Sequence, residues 1–364
     1  MELEKVIVLY GGKSTEHEIS ILSARNIVNA VDRSLHTPIP IAVAKDGSWY
    51  LKSEEELIAE DIVLANNKKV ALIPGSEISK LILIESSTYI KNIACVFPII
   101  HGTGGEDGSL QGLLKSIGLP FVGPGVIGSA LCIDKDIAKK ILRDAGIKSS
   151  KFLTYNISQR DQIKYEVAQK ELGTPMYIKP PNLGSSVGIS KVTTKRELSE
   201  AIDLAFKFDK KVLIEESIDG REIECAVLGN SKVEASPVGE VITISANHSF
   251  YSYDAKYKDA NGSVTKIPAD LPEDLQHKIR TVAIKAYKAL ECEGMARVDV
   301  FVTENGEIIV NEINTLPGFT DISMYPKLWE ATGKSYSQLI SDLIQLAVER
   351  HLFEESITVD KTNE

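Results

Sequence analysis

The stretch ARVDVFVTENGEIIVNEIN, residues 296–314, carries the reading of the fold. Two apolar, alternating runs flank a turn at Glu304–Gly306, so a β-hairpin is predicted. The two-residue period puts Arg297 and Asp299 on one face of the first strand and Glu312 and Asn314 on one face of the second. If the strands pair around the turn, Asp299, Glu312 and Asn314 converge. Such a set suits a hard cation such as Mg²⁺, which takes oxygen ligands and phosphate oxygens together. The plainer alternative is a solvated face with one arginine–carboxylate pair. The setting favours the cation, because these groups interrupt apolar strands, where they are costly without a partner.

Upstream, the strand in TPMYIKP ends at Lys179, and Pro180–Pro181 turn the chain away. The loop that follows, Asn182 to Gly188, offers free N–H groups and hydroxyls suited to phosphate oxygens. Lys135 lies in the DKD start of the helix DKDIAKKILRDAG, with Gly146 as its stop. VLIEESIDGREIE puts Glu215 at a strand end and Glu222 after a turn, beside an expected domain crossing. Clefts at such crossings are common ligand sites. Further on come strands in EIECAVLG and SPVGEVI, a loop over 250–268, a helix over 272–290 and a terminal helix over 335–349.

Toward the N-terminus, VIVLYGGKST (6–15) imitates a phosphate loop, but position 7, where the first glycine of G-x-x-x-x-G-K-[ST] belongs, is Ile7. VIVLY, TPIPIAVA and IACVFPII are continuous apolar strands, and Ile19 to Val31 is a helix, which predicts a parallel sheet covered on both faces. Residues 45–90 read as an irregular insertion. The glycine turns at 11–12 and 102–105 fall at strand C-terminal ends, the ligand-binding edge of such a sheet. FVGPGVIGS (121–129) reads as a linker. The expected organisation is three domains: 1–123, an N-terminal α/β substrate domain; 124–219, a small central α+β domain; and 220–364, a C-terminal domain with the metal site.

Composition sets the broad class. The chain has 364 residues, 43% hydrophobic and 25% charged, with a net charge of −10. That is a globular balance, and the acidity argues against nucleic acid as a partner. The apolar run IACVFPII is too short to span a bilayer. The charged MELEK leads straight into a strand, which reads as the absence of a signal peptide. Cys95, Cys132, Cys225 and Cys292 form no C-x-x-C pair, which disfavours zinc and fits a reducing cytoplasm.

Eight motifs then occur in order: VLYGGKSTEHEIS, HGTGGEDGSLQGLL, DKDIAK, YIKPPNLGSSVGISKV, VLIEESIDGREIE, YDAKY, ARVDVF and NEINTLPGFT. Together they resemble the ATP-grasp ligases and, within them, the D-alanine–D-alanine ligases, over roughly residues 4 to 349. The resemblance implies an ATP-grasp fold behind the parallel N-terminal sheet. It implies ATP held by Lys135, Lys179 and Lys256 at its phosphates, by Glu215 and the backbone after it at adenine, and by Glu222 at the ribose, with loop 182–188 as a cover. It implies two Mg²⁺ ions, with Mn²⁺ as a substitute, on Asp299, Glu312 and Asn314. Two D-alanine molecules are the implied substrates. Glu16 takes the first amino group, His101 lies in that pocket, and Ser323 and Met324 face the second carboxylate. Arg297 and the Gly318 N–H form the oxyanion site. Glu16, Ser185 and Tyr257 join across three domains and exclude water. Tyr257 also favours a dipeptide over D-alanyl-D-lactate. A homodimer is expected.

Glu216 departs from many relatives, with little consequence where only its backbone meets adenine. A nicotinamide-dependent dehydrogenase lacks its glycine fingerprint here. A non-catalytic ATP sensor would not need Arg297.

Overall fold

The computed structural model describes residues 3–59, 68–76, 78–243 and 263–357. The N-terminal sheet runs in the order Trp49–Leu51, His36–Val43, Glu4–Gly11, Ile93–Pro98. Glu4–Gly11 pairs parallel with both neighbours, and Trp49–Leu51 adds an antiparallel edge. Val6, Val8 and Tyr10 face one core with helix His17–Ala30, while Ile7 and Leu9 face another with helix Ser109–Ile117. Burial on both sides is why these strands read as unbroken apolar runs.

Two expectations are corrected. The described residues of 45–90 are largely regular: besides the edge strand, they hold helix Glu54–Ile58 and a three-stranded antiparallel sheet of Val70–Leu72, Leu81–Leu83 and Thr88–Ile90. Strands of three residues are too short for alternation to register in the sequence. The supposed linker at 121–129 runs into a helix, Val126–Ile133. Its Gly128 is a packing glycine, since a Cβ there would come within 2.4 Å of the Glu291 carbonyl oxygen.

The central sheet, ordered Ser190–Val192, Met176–Lys179, Lys211–Glu216, Phe152–Asn156, is antiparallel. Helices Tyr165–Leu172 and Lys195–Ala205 close its apolar face with Ala168, Leu198 and Ile202. The C-terminal sheet is ordered Ser263–Lys266, Glu234–Thr243, Arg221–Leu228, Met295–Val302, Ile308–Asn314. One face packs on helix Glu273–Ala289 through Ile279, Ala283 and Tyr287. The other carries Ala226, Leu228 and Met295 into the same core as Val6, Val8 and Phe97 of the N-terminal sheet. Helices Met324–Glu330 and Tyr336–Ser356 complete that core. The second of these runs seven residues beyond the expected 349. Of the expected loop 250–268, residues up to 262 lie outside the described residues, and Ser263–Lys266 is an edge strand.

Along strand Arg221–Leu228 the shared face changes character. Leu228 and Ala226 are core, whereas Glu224 and Glu222, two and four residues earlier than Ala226, are charged. The site begins where the apolar core ends.

Candidate active site

A cavity of about 430 Å³ opens between the central and C-terminal sheets, with Lys135, Lys179, Ser185, Glu215, Glu222 and Glu312 on its walls. Lys179 is the last residue of strand Met176–Lys179, so its side chain reaches past the sheet edge. Lys135 is the first residue of helix Lys135–Asp144, whose N-terminus is capped by the Asp134 carboxylate accepting from the Asp136 and Ile137 N–H groups.

Glu215 organises the lysines. Its Oε2 lies 2.9 Å from Lys179 Nζ and accepts from the Ser150 hydroxyl at 3.3 Å, and its Oε1 lies 3.4 Å from Lys139 Nζ. Burial opposes the Glu215 charge, but the Lys139 and Lys179 charges outweigh it and hold the carboxyl down at about 2. Burial likewise opposes the Lys179 charge, and Glu215 reverses that effect and raises its pKa. Lys139, where burial dominates, is lowered. Of the two lysines on this carboxylate, Lys179 lines the cavity together with Lys135, and these are the ammonium groups an anionic ligand would meet there.

The loop after Lys179 is shaped for such a ligand. Ser185 and Ser186 hold φ of 52° and 59°, and Gly188 φ of 73°. Non-glycine residues keep left-handed backbone only under constraint. The constraint is visible: Asn182 is tied to Asp209 through its N–H at 3.0 Å and its Nδ2 at 2.8 Å. Lys135 Nζ also donates to the Leu183 carbonyl at 2.9 Å.

The hairpin closes the far wall. Asp299 stands opposite Glu312, and Arg297 opposite Asn314. Arg297 donates to both Asp299 oxygens at 2.8 Å, and Asn314 Nδ2 donates to Asp299 Oδ2 at 2.9 Å. Glu312 Oε2 lies 3.2 Å from Lys135 Nζ, so the hairpin and the lysines meet.

A second group sits at the strand ends of the N-terminal sheet. Glu16 is buried at the N-cap of helix His17–Ala30. Cβ atoms built on Gly102 and Gly184 would lie 3.7 and 3.6 Å from its Oε2, which places this carboxylate between the glycine turn and the loop 182–188. His101 Nδ1 lies 3.0 Å from the Leu316 carbonyl, so it donates, and the buried Nε2 has no hydrogen-bond partner among the described residues. Burial lowers the His101 pKa, leaving a neutral ring with an acceptor nitrogen. Glu106 accepts from Gly102 N–H at 2.6 Å and Leu316 N–H at 3.2 Å. Desolvation, with the Glu16 charge second, pushes the Glu106 carboxyl up to about 8. His101 and Glu106 thus grip both backbone atoms of Leu316, two residues before Gly318. A Cβ on Gly318 would meet Ser323 Oγ at 2.8 Å, so a larger residue there would displace the Ser323 hydroxyl. Ser323 Oγ accepts from Thr320 N–H at 2.9 Å, and the Met324 side chain is buried against Gly239.

With this geometry in place, comparison with known proteins is decisive. The chain matches the family model for the D-ala D-ala ligase N-terminus over residues 5–124 and that for the D-ala D-ala ligase C-terminus over residues 141–345. The chain belongs to the D-alanine–D-alanine ligase family. It is 51% identical over 357 residues to a D-alanine–D-alanine ligase of Shouchella clausii, covering 96% of each chain. It is 46% identical over 357 residues to D-alanine–D-alanine ligase A of Escherichia coli K12, covering 96% of this chain and 97% of that one. Among solved structures, the D-alanine–D-alanine ligase of Coxiella burnetii aligns with a TM-score of 0.85 at 38% identity, over 97% of each chain. The VanG D-Ala:D-Ser ligase of Enterococcus faecalis aligns with a TM-score of 0.85 at 36% identity, over 95% of this chain and 100% of that one. The ATP-grasp fold expected from the ligase motifs is the fold found.

Against the ligase motifs, the structure gathers Lys135, Lys179, Ser185, Glu215, Glu222 and Glu312 at one cavity and Arg297, Asp299 and Asn314 on its hairpin. Glu16, His101 and Gly318 belong to the adjoining strand-end group. Lys256 and Tyr257 lie outside the described residues. Sequence reasoning missed Lys139, Glu106 and Glu224. Lys139 falls one helical turn after Lys135, and Glu106 sits inside HGTGGEDG, so spacing and motif each held a signal.

The hairpin fits a nucleotide-shared cation. Two carboxylates and an amide oxygen leave positions for phosphate oxygens and water, the arrangement Mg²⁺ prefers. Among the described residues no group of three His, Cys, Asp or Glu forms a cage able to hold a metal alone.

Proposed function

We propose that this ligase joins two D-alanine molecules into D-alanyl-D-alanine, with ATP as the second substrate, for a cell-wall precursor. The observation that carries this reading is the meeting of Lys135 and Glu312 at 3.2 Å on the wall of the 430 Å³ cavity. It joins the two functions the reaction needs, a cationic phosphate seat and an oxygen-rich hairpin.

Lys135, Lys179 and the N–H groups of the 182–188 loop would hold the ATP phosphates, Glu222 the ribose, and Glu215 with the backbone after it the adenine. Asp299, Glu312 and Asn314 would hold two Mg²⁺ ions, which offset charge on the phosphates when bound. Glu16 takes the ammonium of the first D-alanine and leaves its carboxylate toward the phosphate loop. Phosphoryl transfer from ATP to that carboxylate makes an acyl phosphate, because a free carboxylate is a poor electrophile. The amine of the second D-alanine attacks the acyl carbon, and phosphate leaves. Arg297 and the Gly318 N–H meet the negative charge that develops on the carbonyl oxygen. The Ser323 hydroxyl and the Met324 N–H would meet the second carboxylate. Since the Met324 side chain is in the core, its contribution is backbone. Glu16 beside Gly184 brings the amino-group ligand against the phosphate cover, and that contact excludes water from a hydrolysable intermediate. Tyr257 would complete the exclusion and select an amine nucleophile. The three-domain division, a cytoplasmic location and a homodimer belong to the same reading.

The test is phosphate release from ATP and Mg²⁺ with single amino acids, with products identified by mass. Release that requires D-alanine, ignores L-alanine and yields the dipeptide is expected. A product made from D-lactate or D-serine in preference would overturn the second-substrate assignment. Arg297→Ala should lower turnover by about 10²- to 10³-fold while nucleotide still binds.

A further inference from the structure

The C-terminal sheet carries a carboxylate that the proposed chemistry does not use. Strand Arg221–Leu228 pairs antiparallel with Met295–Val302, and the register sets Glu224 opposite Asp299 while Asp299 stands opposite Glu312. Three carboxylates therefore form one row across three strands. Like charges directly opposed on a sheet repel, so the row needs cations within it. Lys135 serves Glu312. Arg297 serves the other two: its Nε lies 3.0 Å from Glu224 Oε2 and 2.8 Å from Asp299 Oδ1. The Glu224 side chain is only 4% exposed, and that of Arg297 14%.

Both Asp299 oxygens are committed to the guanidinium here. The proposed metal role asks the same oxygens to face Mg²⁺, which competes with Arg297 for them. An arginine released at that moment would lose its aim when the oxyanion forms. Glu224 is the carboxylate that stays.

We infer that Glu224 is a positioning residue that anchors the Arg297 guanidinium when Asp299 turns to the metal. The inference rests on the oxyanion role proposed for Arg297. The single Nε–H donates to Asp299 Oδ1 here; once Asp299 releases it, the buried Glu224 carboxylate 3.0 Å away takes it and holds the guanidinium plane, leaving the terminal nitrogens to the substrate. The same residue keeps the charge row balanced, because a metal drawn to Asp299 and Glu312 leaves Arg297 facing Glu224 alone.

The experiment compares Glu224→Gln, which keeps the shape without the charge, Glu224→Asp, Arg297→Ala and the Glu224→Gln/Arg297→Ala double variant. Phosphate release is followed with D-alanine at high enzyme concentration, alongside Mn²⁺ binding by paramagnetic resonance. Glu224→Gln should lower kcat by about 10- to 100-fold, the scale of a displaced reacting group, with the KM for ATP and the Mn²⁺ affinity unchanged. Glu224→Asp should recover part of the rate. In the Arg297→Ala background, Glu224→Gln should change nothing further. An equal loss in both backgrounds, a fall in Mn²⁺ affinity or an unchanged kcat would each overturn the anchor. If Glu224→Gln does not fold, Glu224→Asp in the two backgrounds decides by the same comparison. If Arg297→Ala alone turns over normally, the oxyanion reading fails and the anchor with it. A normal Glu224→Gln beside an impaired Arg297→Ala removes the anchor only.

Discussion

Lys179 and Glu215 face each other at 2.9 Å across adjacent strands, with Lys139 on the carboxylate's other oxygen. The pair spans the floor of the cavity, so stability and ligand charge are tied to one contact. Glu215→Ala would strand two buried ammonium groups. Removing one partner of a buried pair costs about 3–5 kcal/mol. We expect a loss of that size in denaturant unfolding, and a raised KM for ATP in whatever protein remains folded. The pH dependence has a definite sign. The Glu215 carboxyl ordinarily titrates near 4.5 and is held at about 2 in the folded chain. Below 4.5 the unfolded chain binds the extra proton first, so this contribution is fully present above 4.5 and is lost as pH falls toward 2. Wild type should lose more stability over that window than Glu215→Gln.

Glu106 predicts the opposite slope. Its carboxyl is raised from 4.5 to about 8, first by desolvation and then by Glu16. Between those values the folded chain holds a proton that the unfolded chain has released. The contribution is therefore present below 4.5 and is lost as pH rises through 8. Unfolding midpoints measured from pH 5 to 8.5 should fall less steeply for Glu106→Gln than for wild type. Parallel curves would show that the carboxylate remains ionised in the fold.

The phosphate loop separates backbone shape from side-chain chemistry. Ser186 sits at φ 59°, where glycine is unstrained and a β-branched residue is not. Ser186→Gly should keep the KM for ATP within about threefold, whereas Ser186→Val should raise it by about tenfold or more, a penalty of roughly 1–3 kcal/mol for forcing that backbone. Equal effects of the two would mean that the hydroxyl, and not the turned backbone, holds the phosphate.

How much of this was legible in advance depends on range. The hairpin was readable because Arg297, Asp299, Glu312 and Asn314 obey a two-residue period around one turn, and the observed register pairs them across it. The parallel strands were readable because burial on both faces leaves no alternation. The insert was not, since three-residue strands carry no period. The helix Val126–Ile133 was hidden by glycines that serve packing, Gly128 against Glu291. Lys139, Glu106 and Glu224 were passed over for a common reason. Helical spacing pointed to Lys139 and a motif to Glu106, but the partners that give all three a role, Glu215, Leu316 and Arg297 respectively, lie far off in sequence, and local spacing does not report them.

Arg350 gives a purely structural counterpart to the site predictions. It lies on helix Tyr336–Ser356, buried, and donates to the Phe121 carbonyl at 2.7 Å and the Gly123 carbonyl at 2.5 Å. Its guanidinium also sits 4.6 Å from the Phe121 ring centroid. The terminal helix is thereby tied to the segment that leaves the N-terminal sheet. Desolvation lowers the Arg350 pKa, with Glu293 opposing, yet an arginine stays charged, and the two carbonyls, the ring and the Glu293 carboxylate at 3.7 Å satisfy it. Arg350→Lys keeps the charge but loses the planar fork and the stacking. Both Arg350→Lys and Arg350→Ala should lower stability by about 2–4 kcal/mol, a hydrogen bond to a charged group contributing roughly 1.5–3 kcal/mol. Turnover per folded molecule should hold, because Arg350 lines neither the 430 Å³ cavity nor the hairpin. Unfolding midpoints and active-site-normalised kcat separate the two effects, and a large kcat change at unchanged stability would mean that the terminal helix reaches the chemistry through the Leu316–Gly318 segment.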